Sequence, residues 1–495
     1  RREFVSLSTL AIFSGIYTSY AAEELTDPKG KGKGKGGKGG GKEGKGGHKG
    51  PNEFILPQGL TEFSDLPITL GRPTNSSITV SVLSKNPMEG FFEIGTQPGQ
   101  LKRKTALTTF PAGQPIEIIF DELKPNTEYF YRIQYRSIGT PSFSTRSECR
   151  FSTQRAPGNT FNFTIQGDSH PERMGKVTHP ELYARTLLSA ASVKPDFHIC
   201  IGDDFSVEHI PTVSQASVAE AYRIQRPFLG LIGQTSPLFL LNGNHEQASL
   251  FNYNQTDARR DVAVFAQLAR NQFFPTPSPD NFYSGNTVPL KDIGLLKDYC
   301  AWTWGDALFV LLDNYWHSPS LVDSGFAGGE GGQKPHDGKK DRDWWGITIG
   351  DAQYAWLKKT LESSKAKYKF VFAHHVLGSG RGGVEEADLY EWGGQGKKGE
   401  ETFAQKRPKW ELPIHQLMVK HKVTIFFQGH DHLFCSQEKD GIIYQEIPMP
   451  SDKDYTAYNE DRYTSGTRLP NSGFLNVTVS PTGCLLYTSP SPRDQ

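Results

Sequence analysis

Residues 161–170, FNFTIQGDSH, decide the fold: a short run of β-branched and aromatic residues stops at Gly167 and delivers Asp168 and His170, both able to hold a metal. Three later stretches have the same form, an extended apolar run closed by glycine. They are HICIGDD with Asp203, FLLNGNHE with Asn244 and His245, and TIFFQGHDH with His430 and His432. A fifth, KFVFAHH, ends at His374 and His375. Metal-capable side chains at the ends of several different strands are what a site at the carboxyl edge of a sheet requires.

Around these stretches strands alternate with helical patterns over residues 155–483, which predicts an α/β layered domain. Helices are expected over 182–193, 216–231, 258–269 and 411–421, and Asp351 is expected to cap a further helix with Tyr354, Leu357 and Leu361 on one face. Two interruptions rich in glycine and charge, 318–345 and 384–407, read as lids, binding loops or disorder. Residues 472–483 read as a strand and turn awaiting a partner. The tail 484–495, CLLYTSPSPRDQ, is unlike what precedes it and is expected to be a non-native addition outside the fold.

Upstream, residues 53–154 are all β: SSITVSVLS, FFEIGT, TALTTF, IEIIFDEL, EYFYRIQYRS and ECRFSTQ are short and separated by turn residues. So many short strands in so few residues imply two packed sheets. The segment LKPNTEYFYRIQY resembles the tyrosine-bearing strand of fibronectin type III domains, with Tyr129 or Tyr131 as the corner tyrosine. Residues 23–52 are dominated by Lys and Gly and read as a disordered basic linker.

Residues 1–22 open with Arg1 and Arg2, continue through an apolar run and reach Ser19 and Ala21, the pattern of a partial secretory signal. A retained anchor helix is the alternative, but the run is short for a bilayer. The expected location is extracellular or periplasmic, and sequons at Asn75, Asn254 and Asn476 fit export. Formal net charge is +0, a Lys-rich stretch offsetting a mildly acidic remainder, so no nucleic-acid partner is expected. The 5 cysteines form neither a disulfide framework nor a CxxC metal pattern.

Carboxylate, imidazole and amide oxygen suit Fe, Mn, Zn and similar ions, and the absence of thiolate from the set disfavours a structural zinc site. Two ions sharing one carboxylate can clamp the attacking and leaving oxygens of a phosphoryl displacement. Asp168, His170 and His432 would then serve one ion, Asn244, His374 and His430 the other, with Asp203 between them. His375 is the alternative to His374. Asp204 reads as a turn carboxylate, and Arg381 as either a phosphate donor or a solvated loop residue. Nothing in their spacing singles out His179, His209 or His317. Trp344, Trp345 and Trp392 would wall the cleft or anchor their loops.

The ordered series GDSH, GDD, GNHE, AHH and GHDH resembles the calcineurin-like metallophosphoesterase family, over roughly residues 161–483. With the preceding β domain the layout is similar to that of purple acid phosphatases. The resemblance implies a four-layer α/β sandwich, two metal ions on the ligands just named, and in-line attack by hydroxide on a phosphate ester. His245 would be the acid beside ligand Asn244. The chain departs from the purple enzymes in having His170 where they carry a glycine-type residue and Ser206 where they carry the iron-binding tyrosine, so the purple colour should be absent. A phosphate-monoester hydrolase is the leading expectation. A phosphodiesterase or nucleotide hydrolase on the same site is the nearer alternative, and a silent surface- or matrix-binding protein the remoter one.

Overall fold

The computed structural model describes residues 54–208, 210–322, 343–376 and 381–489. The expected signal, the Lys/Gly linker, His209, most of the interruption at 318–345 and the end of the tail lie outside the described residues.

The N-terminal unit is a β sandwich. One sheet pairs Ile68–Gly71, Ile78–Val82 and Ile116–Phe120, and the other is built on Met88–Gly95 and Glu128–Ser137, with Arg103–Lys104, Thr108–Phe110, Ser144–Thr145 and Cys149–Ser152 beside them. Alternation along Glu128–Ser137 turns Tyr129, Tyr131 and Ile133 inward, where they meet Phe92, Phe120 and Phe151. The hydroxyl of Tyr129 accepts the backbone N–H of Lys124 at 2.8 Å, a corner bond, whereas Tyr131 donates to the carbonyl of Gln234 at 2.5 Å in the second unit.

The strand Ile68–Gly71 had no counterpart in the sequence expectation. Its four residues are all buried because it lies against the helix Gln215–Gly233, whose buried Arg226 donates to Ser81 and to the carbonyl of Pro67.

The second unit is four layers deep. A 5-stranded sheet runs in the order Leu238–Leu240, Phe197–Cys200, Phe161–Gln166, Phe474–Val479, Cys484–Ser489. It faces an 8-stranded sheet whose centre is Ala307–Leu311, Tyr368–Phe372, Ile425–Gln428 and Ile442–Glu446, all parallel. Between them Phe163, Phe197, Trp302, Phe309, Phe370, Phe372 and Phe427 pack as one core. Helices Pro180–Ser192, Gln215–Gly233 and Ala258–Phe273 cover the outer face of the first sheet; Gly350–Ser363 and Ile414–Lys420 cover the second. These layers are the four-layer α/β sandwich that the motif order implies.

Two expectations need correction. Asp351 does not cap its helix: Ile349 holds that position, and the Asp351 carboxylate instead accepts from Trp410 Nε1 and Lys409 Nζ, both at 2.9 Å. Nor does the tail stand wholly outside the fold. Cys484–Ser489 pairs antiparallel with Phe474–Val479, because that strand would otherwise leave its backbone groups unpaired at the sheet edge.

Candidate metal centre

The parallel strands of both sheets end at one edge, and each delivers its motif in the turn that follows. Asp168 and His170 follow Phe161–Gln166, Asp203 follows Phe197–Cys200, Asn244 and His245 follow Leu238–Leu240, His374 and His375 follow Tyr368–Phe372, and His430 and His432 follow Ile425–Gln428. The glycines in these turns are set by close approach. A Cβ on Gly243 would stand 2.1 Å from Asp203 Oδ1, one on Gly202 2.7 Å from His374 Nδ1, and one on Gly429 2.7 Å from Asp168 Oδ2.

Several of the metal-capable residues are themselves in the left-handed region: Asp168 at φ 60°, His170 at 44°, Asp203 at 58°, His430 at 80° and His432 at 59°. Such a conformation costs roughly 1–2 kcal/mol per non-glycine residue and persists only where the surroundings enforce it.

The side chains converge. Asp168 Oδ1 lies 3.2 Å from His432 Nε2, 3.7 Å from His170 Nε2 and 4.0 Å from His374 Nε2. Asp203 Oδ2 lies 3.1 Å from His374 Nε2 and 3.8 Å from Nε2 of both His170 and His245. The ligand atoms of Asp168, His170 and His432 fall within 4.8 Å of one another, as do those of Asp168, Asp203 and His374 and those of His374, His375 and His430. Asn244 stands on the turn whose next residue, His245, donates its backbone N–H to Asp203 Oδ1 at 2.9 Å.

These residues fit a cation. Asn244 Oδ1 is buried without a hydrogen-bond partner among the described residues, and buried Asp203 Oδ2 and His374 Nε2 face each other at 3.1 Å; an unsatisfied buried group costs about 1–3 kcal/mol unless an ion or water takes it up. His374 Nδ1 sits 3.0 Å from the carbonyl of Ile201, and His170 Nδ1 sits 2.9 Å from Glu172 Oε1, contacts that leave Nε2 of each ring to face the cage. His170 and His432 present Nε2 atoms 2.9 Å apart, a pair that must share a proton or a cation. Burial pulls His374 down, but Asp203 and Asp168 outweigh it and raise its pKa to about 9. The same negative field favours a metal ion.

Further acids brace the turns. Glu246 accepts the backbone N–H groups of Asp203, Asp204, Phe205 and Gly243. Asp431 accepts from Gly382 and Tyr463, and its own N–H goes to Glu446. Arg381 donates to Asp431 at 2.8 Å and to the carbonyl of His430 at 3.0 Å, so it props the turn that carries His430 and His432. Asp204 is buried against Gln166, and desolvation pushes its pKa up to about 8.

Residues outside the motifs divide between structure and site. His317 is paired with Asp298 at 2.8 Å, Trp392 donates to the hydroxyl of Tyr444, and Trp344 and Trp345 pack on Tyr390, all as anchors. His179 precedes the helix Pro180–Ser192 and lines a separate cleft with Arg185 and Lys453. The sequence reading passed over Glu172, Arg173 and Glu208. Glu172 Oε1 and Glu208 Oε2 lie 3.3 and 3.1 Å from His245 Nδ1, and Arg173 Nη2 lies 3.0 Å from His245 Nε2. The sequence signal of Glu172 and Arg173 is the charged pair after Pro171, one residue beyond the GDSH motif, and Glu208 follows the GDD motif with no motif of its own.

A cage of acids and imidazoles at the joint edge of two packed sheets defines a metal-dependent hydrolase of phosphoric esters. Residues 161–434, more than half of the 495-residue chain, match the calcineurin-like phosphoesterase model, and the chain belongs to that family. Among solved structures, PhoD is similar over 85% of this chain and 88% of its own, at 15% identity and a TM-score of 0.56, which shows a shared fold. GAP50, described as the anchor in the inner membrane complex of Plasmodium, is 13% identical over 68% of this chain and 86% of its own, with a TM-score of 0.38, too distant to argue from. No curated protein matches the chain in sequence.

Proposed function

We propose that this chain is an exported binuclear phosphatase that hydrolyses phosphate monoesters. Asp168, His170 and His432 would hold one ion and Asn244, His374 and His430 the other, with Asp203 between the two sets. The observation that carries the reading is the convergence of the Asp and His donors from both sheets, beside an Asn244 Oδ1 that is buried without a hydrogen-bond partner among the described residues. Iron, manganese and zinc all suit the donor set. When bound, such ions would supply Lewis acidity and make hydroxide available near neutral pH.

The chain's own groups do the rest. Glu246 and the N–H of His245 fix Asp203 from two sides. His245, held by Glu172 and Glu208, gives its proton to the leaving oxygen. Burial opposes its charged form, but Asp203 and Glu208 outweigh that and hold its pKa well above the usual imidazole range. Tyr458 stands edge-on to His432, ring centroids 5.8 Å apart, and walls one side.

In this reading residues 53–154 are a fibronectin III-like module and 155–483 the catalytic domain. The corner bond of Tyr129 supports the first assignment. Export is supported by the composition of residues 1–22 and by sequons Asn75 and Asn254, which are exposed, whereas Asn476 lies in a paired strand. Among the described residues no helix is long and apolar enough to cross a membrane.

The test is nitrophenol release from nitrophenyl phosphate and bis-nitrophenyl phosphate by the metal-loaded protein. We expect kcat/KM for the monoester to exceed that for the diester by about tenfold or more. The opposite order would make the chain a diesterase.

A further inference from the structure

We propose that Arg173 binds a phosphoryl oxygen of the substrate and thereby favours monoesters over diesters, a role that rests on the monoesterase reading above. Arg173 closes the short turn Pro171–Arg173 that leaves His170. Its Nη2 is 3.0 Å from His245 Nε2 and its Nε 3.4 Å from Glu172 Oε1, which places the guanidinium against the cage. The cage itself is closed: Asp168, His170, Asp203, His374 and His430 are almost wholly buried. The Arg173 side chain keeps 38% of its surface exposed, so it stands where the cage opens to solvent.

Its surroundings show what it lacks. His245 Nε2, whose proton goes to the leaving oxygen, cannot also accept from the guanidinium, and Glu172 is already shared with His170 Nδ1 and His245 Nδ1. A guanidinium has five donors in a planar fork that matches phosphate oxygens two at a time. The other arginine at the site, Arg381, is taken by Asp431 and the His430 carbonyl.

Charge points the same way. Glu172 and Glu208 stand beside His245, outside the donors that would hold the ions, and their charge opposes an incoming anion, which a fixed positive group at the entrance offsets. A monoester presents three non-bridging oxygens and up to two negative charges; a diester presents two such oxygens and one charge. A cation placed beside the ions therefore discriminates by the oxygen and the charge that a diester does not have.

The experiment compares wild type, Arg173→Ala and Arg173→Lys, each loaded with metal. Three quantities are measured: bound metal, the dissociation constant of inorganic phosphate by calorimetry, and kcat/KM for the nitrophenyl mono- and diesters. In Arg173→Ala we expect unchanged metal content, phosphate binding weakened about tenfold or more, and a monoester kcat/KM lowered by roughly a hundredfold against a few-fold for the diester. Lys should restore part of the loss, as a point charge without the fork.

An unchanged phosphate constant with a lower kcat would overturn the proposal, because Arg173 would then act only by orienting His245. So would an unchanged ratio of mono- to diester turnover. If wild type binds phosphate yet prefers diesters, the monoesterase reading fails while the phosphate constant of Arg173→Ala still decides the contact. A metal-loaded wild type that binds no phosphate refutes both.

Discussion

Glu246 accepts the backbone N–H of Asp203 at 3.1 Å, and its two oxygens also take the N–H groups of Asp204, Phe205 and Gly243. One buried carboxylate thus ties together two turns that carry metal-capable residues from neighbouring strands. Glu246→Ala should unfold more easily by roughly 2 kcal/mol or more and bind metal about 10–100-fold more weakly. Denaturant titration and metal titration of the variant check both, and wild-type metal affinity would show that the turns hold their shape without it.

Gly243 leaves no space for a methyl group, since a Cβ there would meet Asp203 Oδ1 at 2.1 Å and Asp203 N at 2.5 Å. Gly243→Ala should displace the Asp203 carboxylate and reduce metal content, with turnover falling in proportion. Gly483→Ala is the control, because nothing lies within 4 Å of its added Cβ. Equal metal content in the two variants would contradict the proposed bridging place of Asp203.

In the proposed mechanism His245 fixes Asp203 through its backbone N–H and gives its side-chain proton to the leaving oxygen. His245→Ala should keep its metal and lose about a hundredfold or more in kcat. Metal analysis alongside steady-state kinetics separates this from a ligand variant such as His432→Ala, which should lose metal as well. Identical behaviour of the two would mean that the roles are wrongly divided.

Acid should destabilise the fold through His198, which is buried in the strand Phe197–Cys200 beside Thr164 and held at a pKa of about 3 by burial. Its unfolded value is about 6.5. Below about pH 6.5 the unfolded chain takes up a proton that the folded one refuses, so stability is lost as pH falls toward about 3, at up to about 1.4 kcal/mol per unit. His198→Gln should flatten that part of the curve. Urea unfolding at several pH values between about 4 and 7 is the measurement, and parallel curves would contradict it.

Much of this was legible in the sequence because the signals are local. A donor at the end of an extended run, behind a glycine in four of the five, marks each turn, and the order of the runs pointed to the family before any contact was known. The pairings that are not local were invisible. Ile68–Gly71 is a strand because a helix far along the chain covers it, and Cys484–Ser489 because Phe474–Val479 offers an edge. Asp351 has the chemistry of a cap, but Trp410 and Lys409 claim its carboxylate. Arg173 and Glu172 carry no motif of their own, and only the folding of their turn onto His245 distinguishes them from solvated charges.

In the proposed centre, donors from both sheets would hold a pair of ions around Asp203. Metal analysis of the purified wild-type protein beside Asp203→Ala tests it most directly. About two ions per chain are expected in the wild type, with a loss of metal together with turnover in the variant. Fewer than about one ion per chain in a wild type supplied with iron, manganese or zinc, or an Asp203→Ala protein that keeps its full complement, would contradict it.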